Sequence, residues 1–115
     1  MPTNRIDRVN SLLEHEISMI LLKDFDFPQG ILVTLTHVEC SANLFEAKVF
    51  VSVFPEDKMQ RILGILRKAV YTIQRKINRT LKMRPIPKII FVEDKNIAKA
   101  DRVEELLAKL KIGEE

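Results

Sequence analysis

An apolar residue recurs every three or four positions over about 25 residues in the second half of the chain. The series comprises Met59, Ile62, Leu66, Ala69, Ile73, Ile77 and Leu81. Because an α-helix turns once every 3.6 residues, this spacing predicts one long amphipathic helix. Pro85 and Pro87 follow and end it, since proline has no amide proton to donate. A helix of this length is long for a chain of 115 residues, so we also expect a break or kink along it.

Three shorter patterns occupy the N-terminal half. From Arg5 to Lys23, apolar residues again recur at helical spacing and predict an amphipathic helix. Residues 31–40 are rich in Val, Leu and Thr, and residues 45–54 alternate apolar with polar side chains, so each segment predicts a strand. The short turn between them makes the pair a hairpin, and the alternation fails near Thr36–His37, which predicts a β-bulge there.

A third strand is predicted at residues 88–92 and a final helix at about 97–112. The resulting order of elements predicts an α+β fold, with a three-stranded sheet and helices packed on one face. A chain of 115 residues has the size of one domain, so we expect residues 1–115 to form a single unit. The leucines of the final helix suggest docking on the core, and a mobile tail is the alternative.

Charge is distributed unevenly along the chain. Between residues 58 and 92 there is no acidic residue, whereas ten basic residues occur. Of the net charge of +3, this segment contributes +10, which leaves −7 for the other 80 residues. A solvated helix face normally carries glutamates that limit repulsion among its cations. The acid-free stretch therefore favours an external polyanion, such as the phosphates of a nucleic acid.

Most of these cations are predicted to lie opposite the apolar face of the long helix, four of them at seven-residue steps. We predict that RNA phosphates are bound by Arg61, Lys68, Arg75, Lys76, Arg79 and Lys82. Further candidates are Arg84, Arg5 and Arg8. An acidic protein is the alternative partner, whereas a membrane surface is disfavoured because the apolar face of the helix is needed for the core.

The sequence lacks the pattern of a catalytic or metal site. Cys40 is the only cysteine, and there is no zinc spacing, P-loop or dinucleotide-binding motif. His15 is expected on the surface, His37 is expected to be structural, and the Glu93–Asp94 pair is expected to form a turn. We therefore predict no enzyme, no metal, no cofactor and no small-molecule substrate. If the chain were an enzyme, a single alanine substitution at His15, His37, Cys40 or Asp94 would abolish its activity and leave the fold and RNA binding intact.

The longest apolar run, Met19–Leu22, is too short to cross a bilayer, and the N-terminal residues carry no signal peptide. These features predict a soluble, cytoplasmic protein. We expect a monomer, because no large exposed apolar surface is apparent from the sequence.

Four groups of residues follow one another from the first helix to the third strand. They are Arg5-Ile6-Asp7-Arg8-Val9; Val33-Thr34-Leu35-Thr36 with Val38-Glu39; Ala47-Lys48-Val49-Phe50-Val51-Ser52; and Leu81-Lys82-Met83-Arg84 followed by Pro87, Phe91 and Asp94. In their joint order and spacing, they resemble the ribosome-binding factor A family of bacterial assembly factors for the small ribosomal subunit. The resemblance covers nearly the whole chain.

This resemblance implies a type II KH-like domain, α-β-β-α-α-β, that binds the free 30S subunit and its 16S rRNA. The implied role is support of late subunit maturation and 5′-end rRNA processing. A generic KH-like nucleic-acid-binding module without a ribosomal role is the alternative.

Typical KH domains bind single strands with a GxxG loop between two helices. In this family an interhelical kink with an Ala-x-Gly pattern replaces the loop, and the pattern aligns with Ala69-Val70-Tyr71. Tyrosine resists backbone angles that glycine allows. The helix therefore either runs straighter here or breaks at Gly64 instead. Tyr71 itself either offers a stacking surface for a base or is an ordinary helix residue that packs at the edge of the sheet.

Overall fold

Five regular elements make up the part of the chain that the computed structural model describes, residues 4–95. They are helix α1 (Arg5–Asp24), strands β1 (Leu32–Cys40) and β2 (Glu46–Phe54), helix α2 (Met59–Thr80) and strand β3 (Lys88–Glu93), with a 3-10 turn at Glu56–Lys58. This order confirms the predicted succession of helix, strand, strand, long helix and strand. The final helix predicted at about 97–112 lies outside the described residues.

Helix α1 begins at a side-chain cap and buries one stripe of its surface. The Asn4 side chain accepts a hydrogen bond of 2.7 Å from the backbone N–H of Asp7, which satisfies a donor that the first turn leaves unpaired. Asp7 in the first turn and Lys23 in the last complement the helix dipole. The buried stripe consists of Val9, Leu13, Ile17 and Leu21, at four-residue steps. Through this stripe, α1 packs mainly on β1.

The sheet has the order β1-β2-β3, with β2 antiparallel to β1 and parallel to β3. The pairing of β1 with β2 shifts between Leu35 and His37, which confirms the predicted bulge. On β2 the buried side chains are Ala47, Val49, Val51 and Val53. Because they belong to the same buried cluster as the inner residues of both helices, the helices cover one face of the sheet. The α+β fold with a three-stranded sheet is therefore confirmed.

Helix α2 continues without a break from Met59 to Thr80. The two consecutive helices of the α-β-β-α-α-β order are thus one helix in this chain, and Ala69, Val70 and Tyr71 lie inside it rather than between two helices. Gly64 also has helical backbone and no positive φ. The expected break is not found: Ala69, Val70 and Tyr71 all have helical backbone, and tyrosine has ordinary helical preference and no tendency toward left-handed angles.

Polar side chains of α2 attach the helix to β3. The Gln74 side-chain amide donates to the carbonyl of Pro87 at 3.1 Å and accepts from the Ile89 N–H at 2.8 Å. About two helical turns before Gln74, the Arg67 guanidinium donates to the carbonyl of Phe91 at 3.1 Å. These bonds satisfy backbone groups of β3 that have no strand on that side. They also fix the helix so that its opposite face is directed to solvent.

Candidate nucleic-acid interface

Four cations of α2 share the side of the helix that faces away from the sheet. They are Arg61, Lys68, Arg75 and Arg79, all of them exposed. At 100° per residue they lie within an arc of about 40°, and they extend over about 27 Å along the helix axis. We call these four residues the basic face. The four cations point outward, as the sequence predicted. They do so because the apolar stripe of α2 packs on the sheet and leaves the opposite side of the helix in solvent.

The basic face has no internal counter-charge among the described residues. Of the lysines and arginines in residues 4–95, the one that forms an ion pair is Lys76, whose partner is Asp24. None of the four basic-face cations lies within ion-pair distance of a described carboxylate. Neighbouring cations on one helix face repel each other unless an anion lies between them. The surface is therefore electrostatically suited to phosphate groups.

Lys76 differs from the other predicted contacts. It lies at the edge of the cation row, and its ammonium group is paired with the carboxylate of Asp24 at the end of α1. Both side chains are partly exposed, so the pair is weak in energetic terms. The charge of Lys76 is nevertheless compensated within the protein, and we place it outside the basic face.

Lys82 also departs from the expected position. The seven-residue series assumed a helix through Leu81 and beyond, but α2 ends at Thr80, and Leu81 adopts an extended conformation with its side chain buried. Because the buried Leu81 turns the chain toward the core, Lys82 lies beyond the end of α2 and is not part of the helix. Lys82 is exposed beside the end of the basic face.

A second group of cations forms where the two chain regions around Arg5 and Arg84 meet. The Arg84 guanidinium donates to the carbonyl of Met83 at 2.7 Å, and Arg5 donates to the carbonyl of Arg84 at 3.3 Å. Arg8 lies exposed on the next turn of α1. The fold therefore brings together Arg5 and Arg84, which are 79 positions apart in the sequence. We call Arg5, Arg8 and Arg84 the second basic cluster.

One aromatic side chain lies on the exposed side of α2. Tyr71 is 72% exposed, and the guanidinium carbon of Arg75 lies 5.9 Å from the centre of its ring. This is the distance range of a cation–π contact. A stacking role for Tyr71 was among the alternatives that the sequence left open, but its pairing with Arg75 was not predicted. The signal was available, since residues four positions apart on a helix are neighbours.

The residues considered for catalysis have structural surroundings. The Thr36 hydroxyl oxygen lies 2.6 Å from a carboxylate oxygen of the buried Asp94, which links the β1 bulge to the end of β3. His37 stacks on Phe50, with ring centres 4.2 Å apart, and its Nε2 lies 2.8 Å from Glu39. The turn predicted for the Glu93–Asp94 pair is not found: Glu93 is the last residue of β3, and Asp94, which follows it, forms a buried link between strands instead.

Burial raises the pKa of the Cys40 thiol above its usual value, so this thiol is less reactive than an exposed one. Residues 4–95 contain no cluster of three or more His, Cys, Asp or Glu side chains able to hold a metal ion. Nor does any helix in this range have the length and apolar character needed to cross a membrane.

Comparison with known proteins identifies the relatives of this chain. A family model described as Ribosome-binding factor A matches residues 5–107. Ribosome-binding factor A of Halothermothrix orenii is 36% identical, and the alignment covers 100% of this chain and 95% of that protein. Ribosome-binding factor A of Streptococcus uberis is also 36% identical, with coverage of 96% and 97%.

Two solved structures share the fold. Ribosome-binding factor A from Thermus thermophilus superposes with a TM-score of 0.66 at 20% identity, over 76% of this chain and 93% of that one. A Thermotoga maritima protein solved by NMR in solution has a TM-score of 0.67 at 28% identity, over 87% of this chain and 96% of that one. Because the family model spans most of the chain and relatives above 30% identity align along nearly their whole length, this chain belongs to the ribosome-binding factor A family.

Proposed function

We propose that this protein is a non-catalytic assembly factor that binds the free 30S ribosomal subunit through its 16S rRNA. In this proposal it supports late maturation of the subunit and processing of the 5′ end of the rRNA. It acts in the cytoplasm as a monomer, with residues 1–115 forming one RNA-binding unit. The observation that carries the proposal is the basic face, whose cations have no acidic partner among the described residues.

Membership of the family supports the choice of partner, because its members are named for binding the ribosome. Ribosomal RNA presents a dense array of phosphates, so several cations along one rigid helix can each meet a phosphate group. Phosphate contacts position a protein without reading sequence. Selectivity for the small subunit would therefore come from the shape of the folded rRNA, with the second basic cluster contacting phosphates beyond the reach of α2.

Binding by phosphate contacts makes a quantitative prediction about salt. With about five contacts, the logarithm of the affinity for free 30S subunits should fall against the logarithm of salt concentration with a slope of roughly −3 to −5. Fluorescence anisotropy of the labelled protein, titrated with purified subunits at a series of potassium chloride concentrations, measures this slope. A slope near zero would show that counterion release does not drive binding.

Two controls separate this proposal from its rivals. Competition with unstructured RNA of random sequence tests for a generic nucleic-acid-binding module, which would bind the competitor as tightly as the subunit. Treatment of a captured complex with ribonuclease tests for an acidic protein partner. Association through RNA is lost on digestion, whereas association with an acidic protein survives it.

A further inference from the structure

We infer that Tyr71 and Arg75 form a stacking platform for an unpaired RNA base, so that α2 binds an exposed nucleotide as well as phosphates. This inference rests on the proposed function and deepens it by naming the class of RNA. The site would take a nucleotide in a single-stranded segment, or one turned out of a helix, because a base inside a duplex has no free face.

The first observation is the exposure of the tyrosine. A side chain that is 72% exposed contributes little to the core, and at 100° per residue Tyr71 lies about 40–80° around the helix from the cations of the basic face. Tyrosine is enriched at binding interfaces, because its ring offers a large apolar surface and its hydroxyl a polar contact. The ring therefore has a free surface for a ligand.

The second observation is the arrangement of charge around the ring. The guanidinium carbon of Arg75 lies over the ring, 5.9 Å from its centre. Lys68 is one turn before Tyr71 on the same helix, so the ring lies between two exposed cations. A nucleotide needs both features, since its base stacks on the aromatic face while the flanking phosphates meet the cations. An apolar protein segment would gain nothing from these charges.

The third observation concerns Gly64, two turns before Tyr71 and on nearly the same side of the helix. A Cβ atom added at Gly64 would meet no atom within 4 Å outside the adjoining residues and the nearby backbone of its own helix, so packing within the described structure gives no reason for glycine. Glycine inside a helix costs about 1 kcal/mol relative to alanine. Helical side chains lean toward the N-terminus, and the missing side chain keeps the surface toward which Tyr71 leans open to a ligand.

Intrinsic fluorescence tests the inference, because Tyr71 is the only tyrosine and the chain has no tryptophan. The full-length protein is titrated at low salt with an oligo(A) of about 12 nucleotides, a length within the usual range of single-strand sites. An abasic ribose-phosphate oligomer and an A-form duplex of equal length serve as controls. Titration of free N-acetyltyrosinamide corrects for light absorbed by RNA. We expect oligo(A) to quench most of the emission, whereas both controls bind with little quenching.

Two variants relate the signal to affinity. We expect Tyr71→Leu to weaken binding of oligo(A) by about 5- to 100-fold and to leave binding of the abasic oligomer unchanged. Tyr71→Phe, which keeps an aromatic ring, should stay within about twofold of wild type. Circular dichroism confirms that each variant keeps its fold, as expected for a change at an exposed helix position.

The outcomes distinguish this inference from the proposed function. If oligo(A) binds without quenching, or if Tyr71→Leu binds it as tightly as wild type, the stacking platform is contradicted while salt-dependent phosphate binding stands. If the abasic oligomer and the duplex quench as strongly as oligo(A), stacking is likewise contradicted. If neither oligo(A) nor the abasic oligomer binds at low salt, and free 30S subunits do not bind either, the proposed function fails as well.

Discussion

The double charge reversal Arg75→Glu, Arg79→Glu should weaken binding to free 30S subunits by about 100-fold or more at low salt. Each substitution removes one phosphate contact and places a carboxylate against the RNA backbone. A loss of about 3 kcal/mol for the pair corresponds to more than 100-fold in the dissociation constant. Fluorescence anisotropy with purified subunits measures the change. The variant should also show a shallower dependence of affinity on salt, since fewer counterions are released.

The matched control is the double reversal Lys23→Glu, Lys48→Glu, which changes the net charge by the same amount. Both lysines are exposed and lie outside α2, at the end of α1 and on β2. We expect this control to lose less than about fivefold in affinity, because long-range attraction is screened at moderate salt. Equal losses in the two variants would mean that overall charge, and not the basic face, determines binding.

The second large effect is on folding. Substitution of Phe91 by alanine should lower the free energy of unfolding by about 3–5 kcal/mol. Phe91 is 1% exposed, pairs with Val49 across β2 and β3, and belongs to the core cluster of the described residues. Removal of its ring leaves a cavity under α2. Since a domain of this size has a total stability of about 5–15 kcal/mol, much of it would be lost. Urea unfolding followed by circular dichroism measures the change.

Phe54→Ala provides the comparison for this prediction. Phe54 is at the end of β2 in the same sheet, but its side chain is 70% exposed. The same chemical change should therefore cost less than about 1 kcal/mol. Similar losses at Phe54 and Phe91 would contradict the assignment of the core to the helix-covered face of the sheet.

Features with a local cause were predictable from the sequence. Both helices follow from apolar periodicity, β2 follows from its alternation, and β1 and β3 follow from their apolar, β-branched composition. The bulge at Thr36–His37 follows from the failure of alternation in β1. The unbroken α2 was only one of the alternatives left open at Tyr71, because the length of the helix favoured a break. The end of α2 at Thr80 was also missed, since it depends on burial of Leu81 in the core and not on any local stop signal.

The same distinction applies to the candidate site. The row of Arg61, Lys68, Arg75 and Arg79 was predictable because helical geometry alone places these side chains together. The pairing of Lys76 with Asp24 was not, because these residues are 52 positions apart and meet only when the helices pack. Long-range contacts of this kind depend on tertiary structure. The periodicity of a single segment carries no information about them.

Sedimentation of a cell extract through a sucrose gradient, with immunodetection of this protein, tests the central claim most directly. If the basic face binds the small subunit, the wild-type protein should travel with free 30S subunits at low salt, and the Arg75→Glu, Arg79→Glu variant should remain at the top. Wild-type protein that also stays at the top, in gradients where free 30S subunits are present, would contradict the assignment of the ribosomal small subunit as its partner.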